Sequence, residues 1–136
     1  MIHAVIDTNV LVSAFITKNQ DSSTAKVWGA LLNYDIIPMY NDEIIEEYKD
    51  VLHRKKFNIP EQLIKDAVNH ILVNGVRGER VLSDDFFPDP KDIVFYEVAL
   101  SKDDAYLVTG NKKHFPKKPI VVIPAEMLEI LKAEKI

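Results

Sequence analysis

The sequence of 136 residues contains no cysteine, one tryptophan and only four glycines. Without cysteine, neither a disulfide framework nor a thiolate metal site is possible. No stretch approaches the ~20 consecutive apolar residues that a membrane span needs. Residues 1–9 pass straight into apolar alternation, with no basic segment before it and no cleavage site after it, unlike a secretory signal. We therefore expect a cytoplasmic protein with no membrane attachment.

The composition is that of an ordinary globular domain, with 47% hydrophobic and 28% charged residues. There is no internal repeat, low-complexity tract or linker, so we expect residues 1–136 to form a single domain. The formal net charge of −4 argues against a protein that coats nucleic acid non-specifically. It leaves open an enzyme that handles RNA locally, because steering depends on where charges lie rather than on their sum.

The basic residues are unevenly distributed. One cluster covers residues 54–56, and the other consists of Lys112, Lys113, His114, Lys117 and Lys118. A solvated surface explains either cluster, and contact with phosphate groups is the alternative. The pattern alone favours the solvated surface.

Apolar periodicity predicts short strands that alternate with helices. The predicted strands are 3–6, 36–39, 79–82, 105–109 and 119–123, and the predicted helices are 10–16, 25–32, 42–55, 61–73, 91–100 and 124–131. Pro38 suggests that the second strand lies at a sheet edge or ends there. Short, unbroken apolar strands indicate a parallel sheet covered on both faces, and thus an α/β fold. Ligands in such folds gather at the carboxyl ends of the strands.

Asp7 directly follows the first predicted strand, so its carboxylate is expected at this edge of the sheet. It could equally cap the next helix, as could Thr8 and Asn9. Glu47 lies at the border of the apolar face of the helix 42–55, where a carboxylate is costly unless something pairs with it. The alternative for Glu47 is a side chain that simply reaches water.

Asp89 and Asp92 flank Pro90 at the start of a predicted helix. A helix cap and an acid facing the helix dipole explain both residues without any function. However, they lie in a loop with Asp84 and Asp85, and this concentration of negative charge favours a bound cation. Asp92 is the stronger candidate because it shares a helical stripe with apolar residues.

The segment Thr109-Gly110-Asn111 follows the strand 105–109, either as a plain turn or as part of the same edge as Asp7. His114 nearby is expected to be structural or to face phosphate rather than to bind a metal. Oxygen ligands without cysteine or clustered histidine favour Mg²⁺ or Mn²⁺ over zinc. Such ions activate water for phosphodiester hydrolysis.

Four segments occur in an order and at spacings that resemble a PIN domain. They are residues 7–14 (DTNVLVSA), 46–57 (EEYKDVLHRKKF), 89–92 (DPKD) and 107–115 (LVTGNKKHF). The resemblance covers essentially the whole chain. It is closest to small prokaryotic PIN proteins of toxin–antitoxin pairs, such as the VapC toxins.

This resemblance implies a three-layer α/β/α sandwich around a central, mainly parallel five-stranded sheet. It also implies Mg²⁺- or Mn²⁺-dependent endoribonuclease activity, a homodimer and an antitoxin protein as partner. Residue by residue, Asp7, Glu47 and Asp92 match the three metal-binding acids. Asp89 matches a frequent extra acid, and Thr109 and Asn111 match the motif at the strand end.

Two positions depart from the family pattern. Asn111 stands where many PIN domains have a fourth Asp, which implies an intact first metal site and a weaker second one. The usual Ala-Asp pair before the strand 105–109 is inverted to Asp104-Ala105, so no role is assigned to Asp104.

The resulting hypothesis is hydrolysis of single-stranded RNA by a metal ion held by Asp7, Glu47 and Asp92. Asp89 and Asn111 would support the site, and Thr8, Asn9 and Thr109 would orient the carboxylates by hydrogen bonds. The alternative is a catalytically impaired PIN-like module that binds RNA or protein, which Asn111 favours. A receiver-type phosphotransfer module is disfavoured because Asp7 stands alone and residues 109–111 include no lysine.

Overall fold

The computed structural model describes residues 1–135, which form a sheet of five parallel strands. The strands are β1 (Ile2–Ile6), β2 (Ile36–Tyr40), β3 (Val76–Arg77), β4 (Tyr106–Val108) and β5 (Val121–Val122). Their order across the sheet is β3-β2-β1-β4-β5, so β1 is central. Ala4, Val5 and Ile6 of β1 are completely buried, because a central strand of a covered parallel sheet meets side chains on both faces.

Six helices surround the sheet. They are α1 (Thr8–Ile16), α2 (Ser23–Leu32), α3 (Asp42–Leu52), α4 (Glu61–Asn74), α5 (Ile93–Ala99) and α6 (Pro124–Glu134). Short 3₁₀ turns cover Lys55–Phe57, Pro90–Asp92 and Lys112–His114. Side-chain caps fix two of the helix starts: Ser22 accepts a hydrogen bond from the Ala25 amide, and Asn41 accepts one from the Ile44 amide.

The helices form the two outer layers of an α/β/α sandwich. Helix α5 packs across β1 and β4 on one face, and α2, which also contacts α1 and α6, packs on the other. The core between these layers is continuous and apolar. The predicted fold class is therefore confirmed. Within residues 1–135, no helix has both the length and the apolar character required to cross a membrane.

The predicted strand 79–82 is wrong. The third strand is Val76–Arg77, and it begins immediately after α4. Gly75 makes this abrupt turn possible, since a Cβ there would collide with the carbonyl oxygen of Ile71 and lie 2.6 Å from that of Pro38. Because β3 follows α4 so closely, its pairing with β2 begins at Val76, earlier in the chain than the apolar periodicity predicted.

Three further predictions at element boundaries need correction. Pro38 lies in the middle of an interior strand, where pairing with β1 covers Ile36 to Pro38 and pairing with β3 begins only at Met39. The helix predicted to run to Lys55 ends at Leu52 and is followed by a separate 3₁₀ turn. The helix predicted for 91–100 starts as the 3₁₀ turn Pro90–Asp92, and α5 itself begins at Ile93.

A buried ion pair fixes the segment that connects β3 to α5. Glu97 of α5 is only 2% exposed, and its Oε1 accepts hydrogen bonds from Arg80, at 2.8 Å to Nε. Its Oε2 accepts a hydrogen bond from the Ser83 amide at 2.7 Å. Because these contacts hold residues 80–83 against α5, they also define the path of the chain toward Asp89.

We predict that Arg80→Ala lowers the free energy of unfolding by about 2 to 3 kcal/mol, because Glu97 loses its cation in a buried position. The effect stays below the full cost of an unpaired buried charge because the Arg80 side chain is itself 35% exposed. Chemical denaturation measures it. Arg77→Ala is the control, since Arg77 pairs with Asp42, whose side chain is 85% exposed, and its loss should lower the free energy of unfolding much less. Equal losses of unfolding free energy in both variants would contradict the role assigned to the ion pair between Arg80 and Glu97.

Candidate functional site

The site is built around Asp7, which lies at the carboxyl end of the central strand β1. Its backbone amide still bonds to the Val108 carbonyl of β4 at 2.9 Å. Its side chain makes no capping hydrogen bond to α1. Instead, Oδ2 accepts a hydrogen bond from the Thr109 hydroxyl at 2.8 Å. The carboxylate, with the residue only 7% exposed, is thus directed at the strand end and does not serve as a helix cap.

Hydrogen bonds join the two loops that follow β1 and β4. The Thr109 hydroxyl oxygen also accepts a bond from the Asn111 amide at 3.0 Å. Asn9 Oδ1 accepts a bond from the Gly110 amide at 3.1 Å. Thr109 is completely buried, so its orientation is fixed by its surroundings. The predicted hydrogen bond to a carboxylate is therefore present for Thr109, whereas Asn9 bonds to backbone and Thr8 Oγ1 has no hydrogen-bond partner within residues 1–135.

Helix α3 brings Glu47 to the same edge of the sheet. Its neighbour Tyr48 is completely buried, and the phenol donates a hydrogen bond to the carbonyl oxygen of Ile6, the residue before Asp7. Burial, reinforced by the charge of Asp7, raises the pKa of Tyr48 well above its usual range, so the phenol remains a donor. Tyr48 therefore ties α3 to the end of β1, and Glu47 is partly buried at the border that its helical position predicts.

The 3₁₀ turn Pro90–Asp92 supplies two more carboxylates. Asp89 caps this turn, and its Oδ1 accepts a hydrogen bond from the Lys91 amide at 3.0 Å. The Asp92 side chain is 17% exposed. Its Oδ2 is buried and has no hydrogen-bond partner in the described part of the chain. His114 Nδ1 lies 3.4 Å from this oxygen, close enough for charge attraction but outside hydrogen-bond geometry.

One cavity of about 480 Å³ brings these side chains together at the carboxyl edge of the sheet. Four acids line it, namely Asp7, Glu47, Asp89 and Asp92, and three basic side chains, those of Arg54, Lys91 and His114, face them. Thr8 and Asn9 also belong to its wall, whereas Thr109 and Asn111 do not line it. The segments that contribute are far apart in the sequence, so only the folded chain creates this concentration of carboxylates.

Burial and neighbouring carboxylates raise the pKa values of Asp7 and Asp92. Burial is the main cause of the increase in the pKa of Asp7 to about 6, and the negative charge of Asp92 adds to it. The Thr109 hydrogen bond acts in the opposite direction because it stabilises the charged form. Burial also raises the pKa of Asp92, with contributions from Asp89 and Glu47. Such mutual repulsion is typical of a functional site.

The chemistry of this cavity fits a divalent cation. Asp92 Oδ2 is a buried oxygen that lacks a donor, and burial opposes the charge of Asp7. A cation would satisfy both groups, and carboxylate oxygens are the ligands that Mg²⁺ and Mn²⁺ prefer. Within residues 1–135, however, no three acidic or imidazole groups already converge closely enough to hold an ion. Binding by Asp7, Glu47 and Asp92 therefore requires a closer approach of the Glu47 and Asp92 side chains to the Asp7 carboxylate, which Thr109 holds in place.

Three basic residues of the cavity wall were not assigned to the site from the sequence. Arg54 had been noted only as part of a basic cluster, and it lies between the end of α3 and the 3₁₀ turn Lys55–Phe57. Lys91 had received no role. His114 was expected to be structural or phosphate-facing, and it lies beside Asp92.

Asn111 reaches the cavity only through His114. Its Nδ2 lies 3.0 Å from His114 Nε2, while the other ring nitrogen faces Asp92. The carboxamide therefore orients the imidazole.

Comparison with known proteins identifies a family. The model of the PIN domain family matches residues 3–113 of the chain. This range includes all four acids of the cavity as well as Thr109 and Asn111. No curated protein and no solved structure is significantly similar to the chain.

We predict that Asp7→Asn stabilises the metal-free protein at neutral pH. The pKa of Asp7 rises from 3.8 to about 6 on folding. The loss of folding stability that the charged Asp7 causes is therefore absent below pH 4, grows between pH 4 and 6 and is complete above pH 6. It amounts to about 3 kcal/mol from two pKa units. Thermal melts in EDTA at pH 4 to 8 measure the difference between variant and parent. A difference that does not change with pH would contradict the prediction.

Proposed function

Because the chain belongs to the PIN domain family, whose members are commonly nucleases, we propose that it is a metal-dependent endoribonuclease. It would hydrolyse phosphodiester bonds of single-stranded RNA in the cytoplasm. The observation that carries this proposal is the buried Asp7 carboxylate, which shares one cavity with Glu47 and Asp92 at the carboxyl end of the central strands.

In this proposal, Asp7, Glu47 and Asp92 hold Mg²⁺ or Mn²⁺. A divalent ion supplies stabilisation of developing negative charge and makes water a stronger acid. Asp89 supports the site from the capped turn, where its bond to the Lys91 amide limits its motion. Thr109 fixes the direction of the Asp7 carboxylate through its buried hydroxyl.

The basic residues of the cavity wall would hold the substrate. Arg54 and Lys91 lie in the same wall as the carboxylates, and cations in this position offset the repulsion between acids and phosphate groups. Arginine offers a planar pair of donors to phosphate oxygens. His114, whose Nε2 accepts a hydrogen bond from the Asn111 carboxamide, presents Nδ1 to Asp92 and would help to hold that carboxylate.

The four sequence segments that resemble the small prokaryotic PIN proteins support a finer proposal. The chain would be the toxin of a toxin–antitoxin pair, bound by an antitoxin protein and active as a homodimer. Helix α4 provides a dimer face, since Leu72 and Val73 at its end are exposed. Light scattering measures the oligomer, and co-purification with the product of the neighbouring reading frame tests the partner.

A second candidate function is RNA or protein binding without cleavage. Two observations favour it: Asn111 replaces a carboxylate, and no three ligands converge within residues 1–135. Titration of Mn²⁺ with an unstructured RNA separates the two functions. Cleavage that rises with Mn²⁺ supports the enzyme, and binding without cleavage at any Mn²⁺ concentration supports the module.

We predict that Asp7→Asn reduces Mn²⁺-dependent RNA cleavage by more than about 10²-fold, the scale of losing one group that stabilises transition-state charge. It should also abolish the increase in Tm that Mn²⁺ gives the parent by binding to the folded state. Asp103→Asn is the matched control, because Asp103 is exposed just before β4 at the opposite edge of the sheet. Cleavage by the Asp7 variant at the rate of the parent would refute the mechanism.

We predict that Thr109→Val weakens Mn²⁺ binding by about 10- to 100-fold, because the hydroxyl that orients Asp7 is lost. Thr109→Ser keeps that hydroxyl and should restore most of the affinity. Calorimetric titration of Mn²⁺ measures both variants, with thermal melts to confirm folding. If Val and Ser bind Mn²⁺ equally, the hydroxyl does not position the carboxylate.

A further inference from the structure

A second cavity, of about 320 Å³, lies next to the acidic one. We call it the lysine pocket. Its rim consists of Lys112, Lys113, Lys117 and Lys118, and its walls are the apolar side chains of Phe115, Pro116 and Val121. It is formed by the 3₁₀ turn Lys112–His114, the loop after it and the edge strand β5. None of the groups assigned to catalysis lies in it.

The charge of the lysine pocket is unbalanced. Four lysines and one histidine occur within residues 112–118 without any acid, in a chain whose net charge is −4. Lys112 pairs with Glu126 at 2.9 Å. No carboxylate within residues 1–135 forms an ion pair with Lys113, Lys117 or Lys118, and all three are exposed. Clustered cations without counter-charges attract a polyanion.

The apolar walls indicate that the ligand is more than a phosphate group. Phe115 is buried and packs edge-on against Phe87, with ring centroids 6.1 Å apart and an angle of 90° between the rings. This contact keeps one wall of the pocket rigid. Small-ligand sites combine such apolar walls with a few polar groups at the rim. A nucleotide matches both parts, because its base can contact the walls while lysines bind its phosphates.

A single 3₁₀ turn separates the lysine pocket from the acidic cavity. Lys112 and Lys113 line the lysine pocket, and the next residue, His114, lines the acidic cavity beside Asp92. A strand that leaves the acidic cavity past His114 therefore meets the lysine rim next. The short distance along the turn favours one continuous ligand over two independent ones.

We propose that the lysine pocket is a subsite for a nucleotide of single-stranded RNA adjacent to the bond that the acidic cavity cuts. The proposal rests on the proposed function for the identity of the ligand. It assigns Lys117 and Lys118 to phosphate binding and the apolar walls to the base. Neither residue takes part in the chemical step.

The test is RNA binding by the Asp7→Asn protein, which isolates binding from cleavage. The charge reversal Lys117→Glu/Lys118→Glu is compared with Lys18→Glu/Lys102→Glu in the same background. Lys18 and Lys102 are exposed in the loops after α1 and before β4, and neither lines the lysine pocket or the acidic cavity. The net charge change is therefore equal and only its location differs. Fluorescence anisotropy with an unstructured 12-nucleotide RNA at several salt concentrations gives the Kd.

We expect the lysine-pocket variant to raise the Kd at least about tenfold at low salt. The slope of log K against log salt should fall by about 1.4, or about 0.7 for each lost phosphate contact on a single strand. The control should change the Kd less than threefold. An RNA with one abasic nucleotide next to the bond that is cut should bind the Asp7→Asn protein about tenfold more weakly than the intact RNA, because one base contact is missing.

Equal weakening by both charge reversals, or no weakening by either, would overturn the proposal. Equal binding of the abasic RNA would overturn the role of the walls. If thermal melts show that the charge reversal unfolds the protein, Lys117→Gln/Lys118→Gln replaces it in the binding experiment. The outcome is independent of catalysis: RNA binding that depends on the lysine pocket without cleavage by the intact chain would refute the enzyme and retain the subsite.

Discussion

The structure depends on one unfavourable constraint, a carboxylate buried at the end of the central strand. Asp7 is held there by the backbone pairing of β1 with β4 and by the Thr109 hydroxyl. Asp92 increases the electrostatic cost at Asp7, and His114 relieves part of it. A fold retains such a cost when the group has a use, and a bound cation is the partner that would remove it.

Two structural contacts keep the other carboxylates in place. The hydrogen bond from Tyr48 to the Ile6 carbonyl holds α3 against the end of β1, next to Asp7. Glu47 precedes Tyr48 in the chain and is therefore held near Asp7 as well. Glu97 holds residues 80–83 against α5 and so sets the approach to Asp89 and Asp92. Both contacts are buried polar interactions, which are strong only when their geometry is complete. The acidic cavity is therefore a product of the core as much as of its own residues.

Acidic and basic residues occupy separate but adjoining parts of the surface around this cavity. Acids occupy the end of the central strands, and lysines occupy the adjoining pocket across the turn Lys112–His114. A polyanionic substrate needs both features, since acids that hold a cation repel phosphate groups unless basic residues lie close by. This arrangement reconciles a net negative chain with a ligand such as RNA, because the local field and not the total charge guides binding.

The sequence alone determined the alternation of strands and helices, the location of Asp7 after the first strand and the border position of Glu47, since these follow from local periodicity. It misplaced the third strand because pairing at Val76 depends on the close contact of Gly75 with Pro38, which no local pattern records. Only the tertiary structure decided that His114, Arg54 and Lys91 share a cavity with the acids and that Asn111 acts through His114. The cavity joins segments around residues 7, 47, 54, 89–92 and 114, which only packing of the sheet and its helices brings together.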